Sequence, residues 1–230
     1  MMETFSNKQT EGLATEIMPI IPTMDVVVFP HMIVPLLVVD DKIIEGINQA
    51  INGSKLIMLL ASKKEVNIED EDDAIGTDDL YDIGTIANIM RMVEMPEGGV
   101  KVLVQGVCKA RAVEIYTKNS LLTAKVEKIK MQETSEKLTP YINNIKELAE
   151  RIVSSGQNFS PDFHIILSKL ETAEKVADFV LSHLNLTVTQ AQNLLEKESQ
   201  VDLLNEVYQL LCNEIEVTEI QEKEVIKEVT

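Results

Sequence analysis

The sequence predicts an α+β chain: a mostly antiparallel β pseudo-barrel with one helix, followed by a C-terminal α-helical bundle. Three observations lead there. Up to Met131 the apolar residues fall in short β-branched runs broken by proline and glycine. Beyond that point their spacing turns helical. Strands and helices do not alternate in the manner of a parallel α/β sheet. With 230 residues, 45% of them apolar, the chain has room for one large or two small globular domains.

In chain order, Met24–Phe29 and Ile33–Val39 read as strands bracketed by Pro22, Pro30 and Pro35. Proline cannot donate to a ladder, so these prolines mark strand ends, edges or bulges. Asp40 or Asp41 caps a helix whose apolar face is Ile43, Ile44, Ile47, Ala50 and Ile51, and Gly53 stops it. Lys55–Ala61 is a continuous apolar run of buried-strand length. Glu65–Asp82 holds nine acidic residues and no basic one, and reads as a solvated loop.

A long hairpin follows. Ile83–Met95 and Val100–Tyr116 are its arms and Pro96-Glu97-Gly98-Gly99 its turn. Gly106 interrupts the second arm and marks a bulge. Leu121–Lys130 adds a strand with Leu122, Ala124 and Val126 on one face.

After a polar junction at Gln132–Lys137, helix signals repeat. Thr139-Pro140 opens a stripe of Tyr141, Ile142, Ile145, Leu148, Ala149, Ile152 and Val153, ended by Gly156. Ser160-Pro161 opens a second helix, Ala173–Leu184 forms a third, and Thr187 and Ser199 open two more. Five helices with short connections form a bundle.

The formal net charge is −17. Such a surface repels phosphate backbones and anionic headgroups, so neither nucleic acid nor a membrane is an expected partner. No apolar run reaches the roughly 18 residues that span a bilayer, and Met1–Glu16 lacks the apolar core of a signal peptide. The protein is expected to be cytoplasmic. Cys108 and Cys212 lack metal-type spacing and read as buried reduced thiols.

No motif carries catalysis. There is no G-x-x-x-x-G-K-[ST] phosphate loop, no G-x-G-x-x-G and no G-x-S-x-G elbow. His31, His164 and His183 form no ligand pair, and Glu69–Asp73 lacks the spacing of a calcium loop. Asp25 reads as a turn or cap. The expectation is a non-enzyme with no cofactor and no metal. Met32, Met90, Met92 and Met95 are the candidate substrate-binding residues, because methionine makes an adaptable apolar surface. A strand core is the plainer use of the same side chains.

Residue order adds a resemblance. Pro19-Ile20-Ile21-Pro22-Thr23-Met24-Asp25-Val26-Val27-Val28-Phe29-Pro30-His31-Met32-Ile33-Val34-Pro35-Leu36 resembles the P-x-x-P-x-R-D-x-V-x-F/Y-P-x-M-x-x-P-L opening of Lon protease N-terminal domains. A second block follows at Gly84-Thr85-Ile86-Ala87, Pro96–Gly106 and Ala110-Arg111-Ala112. The resemblance runs from about Ile17 to about Val217, with the helical half matching in layout more than in motif. Met24 departs from the family's arginine, and Thr23 from a position that is commonly apolar.

The resemblance implies a PUA-like pseudo-barrel followed by a helical bundle. It also implies a non-catalytic role, recognising unfolded or damaged polypeptides for delivery to an ATPase–peptidase ring. The alternative is a free-standing protein of the same fold that binds a partner or small ligand outside any protease. Self-association is open in either case. The implied organisation is a tail over 1–16, a β-rich subdomain over 17–131, a helical subdomain over 132–217, and a tail or the start of a long helix over 218–230. β-Branched Val217, Thr218, Val225 and Ile226 lower the helix propensity of that last segment.

Overall fold

A computed structural model describes residues 15–64, 75–130, 136–154, 160 and 162–228, with side chains described except at 153–154 and 218–228. Most of the acidic loop, most of the polar junction, Gly156, Pro161 and residues 1–14 lie outside the described residues.

Among the described residues six strands form one mixed sheet: β1 (Glu16–Thr23), β2 (Ile33–Val38), β3 (Leu56–Ala61), β4 (Ile83–Glu94), β5 (Val100–Lys118) and β6 (Leu121–Lys128). Their order is β2-β5-β4-β3-β1-β6, and β6 pairs back onto β5. The nineteen-residue β5 makes this closure. Its first part lies between β4 and β2, and its second part, from Ala110 to Lys118, pairs with β6. Five strands thus close a ring, with β2 as an extra edge strand.

The first strand is not where the apolar pattern put it. Met24–Phe29 joins no ladder, and the strand is Glu16–Thr23, despite Pro19 and Pro22. Residues 16–19 pair only with β6 and residues 20–23 only with β3. Each half therefore keeps one unpaired side, which accommodates a residue without an N–H. Met24–Phe29 instead straps the two layers together. Val28 enters the barrel core, while Val27 and Phe29 enter the helical core. That period-two division mimics a strand in the sequence. Asp25 is exposed in the bend that opens the strap.

β1 and β3 run parallel, and β2 with helix α1 (Asp41–Ile51) makes the connection between them. The Asp40 side chain caps α1, accepting from the Lys42 and Ile43 amides. The helix does not end on a left-handed Gly53. Asn52 caps it, and the left-handed residue is Lys55 (φ 61°), whose amide returns to the Ala50 carbonyl. Ile47 and Ala50 bury α1 against the barrel core of Ile21, Ile57, Leu59 and Val102.

At the hairpin turn Gly98 and Gly99 both have positive φ, as expected. The bulge on β5 is at Val107, next to Gly106: Ile86 faces Cys108 and Ala87 faces Gly106. Gly106 serves a close approach. A Cβ there would lie 2.4 Å from the Phe29 carbonyl oxygen.

A 3₁₀ turn, Glu136–Leu138, leads into α2 (Thr139–Ser154), so Thr139 is the first helical residue and not the cap. Then follow α3 (Asp162–Ser168), α4 (Ala173–Leu181), α5 (Val188–Leu195) and α6 (Gln200–Glu228). Thr187 and Gln190 cap α5 reciprocally, and Ser199 Oγ accepts from Asp202 N at the start of α6. The α6 helix runs through its β-branched residues to Glu228. The helices share a core of Ile145, Ile152, Phe163, Val176, Leu204 and Leu211. Ala61 and Ile83 of the barrel pack against that core. The Gln192 side chain also crosses the junction, donating to the Ile83 carbonyl at 2.9 Å.

Candidate functional site

Among the described residues nothing covers the outer face of the sheet formed by β2, the first part of β5 and the second part of β4. Val34, Leu36 and Val38 turn inward with Val100, Val102 and Val104. The alternate residues turn outward in rows set by the register. Leu37, Lys101 and Val93 share one row, and Pro35, Leu103 and Arg91 the next. Leu37 is 67% exposed, Ile33 53% and Val93 43%. Val39 lies at the end of β2 against the hairpin turn, where a Cβ on Gly99 would touch it. The Met95 amide closes that turn onto the Gly99 carbonyl at 3.0 Å. Ile33, Leu37, Val39, Val93 and Met95 therefore lie on one exposed surface, with Lys101 between Leu37 and Val93 and Arg91 in the next row, two cations on a strongly acidic chain.

The four methionines fall into two pairs. The ladder passes from Ile89–Val104 to Arg91–Leu103, so Met90 is the extra residue of a second bulge and is half exposed. Met92 pairs with Val102 and packs, half-buried, on the barrel core. Met32 is half-buried between the barrel and helical cores. Met95 is 36% exposed beside the turn. Met90 and Met92 alternate in the sequence as residues of one strand face do, and the bulge divides them. Ile33, Leu37, Val39 and Val93 did not emerge from the sequence as site residues. The signal was Ile33–Val39 itself, a strand apolar on both faces, of which an edge strand can bury only one.

Among the described residues no strand pairs with the far edge of β2, and Pro35 blunts it. The Gly106 amide bonds to the Met32 carbonyl at 2.9 Å. The two-residue period then aims the backbone of Val34, Leu36 and Val38 at β5, and that of Ile33, Pro35 and Leu37 at the free edge. The donor that Pro35 lacks is thus an edge donor, a known guard against strand addition.

The remaining candidates are dispersed. His31 is exposed in the turn before β2, with φ 66°. His183 lies against Phe163 and Phe179, its Nδ1 2.8 Å from the Phe179 carbonyl oxygen. The Nδ1 of His164 is buried without a partner among the described residues. Cys108 and Cys212 are free and half-buried, not fully buried as expected, and burial raises the Cys108 thiol pKa. Among the described residues no three His, Cys, Asp or Glu side chains gather as metal ligands do. None of their helices is long and apolar enough to cross a membrane.

Comparison with known proteins adds the family. Residues 17–213 match the substrate-binding domain of the ATP-dependent protease La (LON). The chain is 36% identical over 210 residues to Lon protease 2 of Bdellovibrio bacteriovorus, covering 90% of this chain and 26% of that protein. It is 36% identical over 208 residues to the Lon protease of Trichlorobacter lovleyi, covering 90% and 25%. The chain thus spans about a quarter of the length of these curated relatives. The fold matches the N-terminal domain of a Mycobacterium avium complex Lon protease with a TM-score of 0.69 at 19% identity, over 86% of this chain and 98% of that one. A Lon N-terminal domain protein from Xanthomonas campestris matches with a TM-score of 0.57 at 14% identity, over 84% and 96%.

Proposed function

The chain belongs to the Lon substrate-binding domain family, and from that premise we propose that it captures unfolded or damaged polypeptides in the cytoplasm for an ATPase–peptidase ring. Within the family this is the substrate-binding part and not a catalytic one. The reading includes a PUA-like barrel over 17–131, a helical bundle over 132–217 and, from 218, the start of a longer helix. Self-association is compatible with it.

The observation that carries the proposal is the exposed outer face of the β2–β5–β4 sheet, on which Leu37 of the edge strand is the most exposed apolar side chain. An exposed, contiguous apolar patch on a soluble domain marks an interaction site. A receptor for many sequences needs contacts without a hydrogen-bond code, and apolar side chains supply them. In this reading Met90 and Met95 touch the client, while Met32 and Met92 form a compliant layer beneath. Pro35 keeps the contact to side chains, because the edge it blunts would otherwise recruit strands and aggregate.

The test is binding of a permanently unfolded, reduced and carboxymethylated protein, followed by fluorescence anisotropy. Affinity should be on the order of micromolar, because the client loses conformational freedom on binding. Leu37→Ser removes a contact of about 1–2 kcal/mol, a roughly five- to thirtyfold rise in Kd. The thermal midpoint should hold, since Leu37 has little burial to lose. Met90→Gln should weaken binding in the same way, whereas Met92→Gln should also cost stability. Unchanged affinity in both Leu37→Ser and Met90→Gln would place the client elsewhere.

A further inference from the structure

Among the described residues, Lys109 and Asp178 are the buried ionisable side chains, each 6% exposed. They meet where the barrel packs on the helices. Lys109 comes from β5 and Asp178 from α4, and both line a cavity of about 10 Å³ with Phe29, Pro30, Glu174 and Leu181. That volume is about one water molecule. Lys109 Nζ donates to the Lys197 carbonyl at 2.7 Å, in the connection between α5 and α6. Asp178 Oδ2 is buried and has no hydrogen-bond partner among the described residues.

We propose that this pair is a proton-operated latch: with Asp178 neutral the helices close on the barrel, and with Asp178 ionised the junction loosens. The closed state suits a neutral acid, since a buried carboxyl without a partner costs far more as a charge. On release of its proton to solvent, the carboxylate lies buried with no hydrogen-bond partner at Oδ2 among the described residues, four residues along α4 from Glu174. Two responses relieve it. Lys109 can leave the Lys197 carbonyl to pair with it, or α4 can part from β5 and admit water. Both free the α5–α6 connection, and with it the start of the long α6 helix.

On β5, Arg111 reaches Glu198 at 4.0 Å. On α4 there is Glu174, and in the α5–α6 connection Glu196 accepts from the Gln192 side chain. Lys197 pairs with Glu206 of α6. On β6, Lys128 is held by Glu16 at 2.7 Å. The strap contributes Phe29 and Pro30, which carry no charge. Burial raises the Asp178 carboxyl well above its usual range, Glu174 raises it further, and Lys109 opposes them. Burial lowers Lys109, with the carboxylates of Asp178, Glu198, Glu174 and Glu196 opposing. Both groups thus lean towards neutrality for the same reason. A carboxyl with a raised native pKa contributes stability that is complete below its unfolded value and lost as pH rises through the native one. The latch therefore opens with rising pH, above the ordinary carboxylate range.

The test uses the full chain. The carboxyl carbon resonance of Asp178 is followed through a pH titration. Amide hydrogen exchange across 174–203 is measured over the same range and corrected for its intrinsic pH dependence. Asp178 should titrate above the usual carboxylate range. Opening of 174–203 should increase as pH rises from the ordinary carboxylate range up to that transition, by at most about tenfold per pH unit, the limit for one proton, and level off above it. Asp178→Asn, which cannot ionise, should show no such increase. Lys109→Met, which removes the opposing cation, should move the Asp178 transition to higher pH. An ordinary Asp178 titration, an equal slope in wild type and Asp178→Asn, or an unmoved transition in Lys109→Met would each overturn the latch.

Discussion

Gly106→Ala should be among the most damaging one-atom changes in the barrel. Its φ is not positive, so the harm comes from contact and not from backbone preference. The new Cβ would lie 2.4 Å from the Phe29 carbonyl oxygen and 3.1 Å from the Pro30 Cα. Both are backbone atoms of the strap that joins barrel to helices, so no side chain can swing away. Relief requires about 1 Å of separation between β5 and the strap, given an ordinary carbon–oxygen contact. Two hydrogen bonds stand in that path, His31 N to the Gly106 carbonyl and Gly106 N to the Met32 carbonyl, each 2.9 Å. Weakening both costs about 1–2 kcal/mol, and overpacking adds roughly 1–3 kcal/mol. Reduced freedom of the unfolded chain returns about 0.4–1 kcal/mol. The net loss is roughly 2–4 kcal/mol, or a fall in Tm of about 5–15 °C for a domain of this size. Thermal and urea unfolding followed by circular dichroism measure it. Gly53→Ala is the matched control. Its Cβ meets nothing closer than 3.5 Å, so stability should hold or rise slightly. If Gly106→Ala unfolds within about 0.5 kcal/mol of wild type, the close approach of strap and barrel is not a constraint.

Other outcomes follow from the helical layer. Leu211 is fully buried where α6 meets its neighbours, and Leu211→Ala should cost about 2–5 kcal/mol in urea unfolding. Thr187→Ala removes the side chain that caps α5 and accepts from the Gln190 amide; it should cost about 1 kcal/mol, with the loss visible as faster amide exchange over 188–195.

Local chemistry was legible in the sequence. Asp40, Thr187 and Ser199 cap their helices because a short polar side chain reaches amides two or three residues on, and nothing distant is needed. Gly98-Gly99 turns the β4–β5 hairpin for the same kind of reason. The order of Pro19–Leu36 carried the family, and periodicity alone separated the barrel from the helices. What depended on partners far along the chain was decided only in the tertiary structure. Met24–Phe29 has the alternation of a strand, yet two different cores take its alternate residues. Glu16–Thr23 has the prolines of a non-strand, yet changing neighbours leave each half a free side. The bulge at Met90 separates methionines that the sequence spaces as one face. Lys109 and Asp178, 69 positions apart, meet at the layer junction. A residue's own neighbours set its backbone preferences, but which face is covered and which charge is buried depends on segments that only folding brings together.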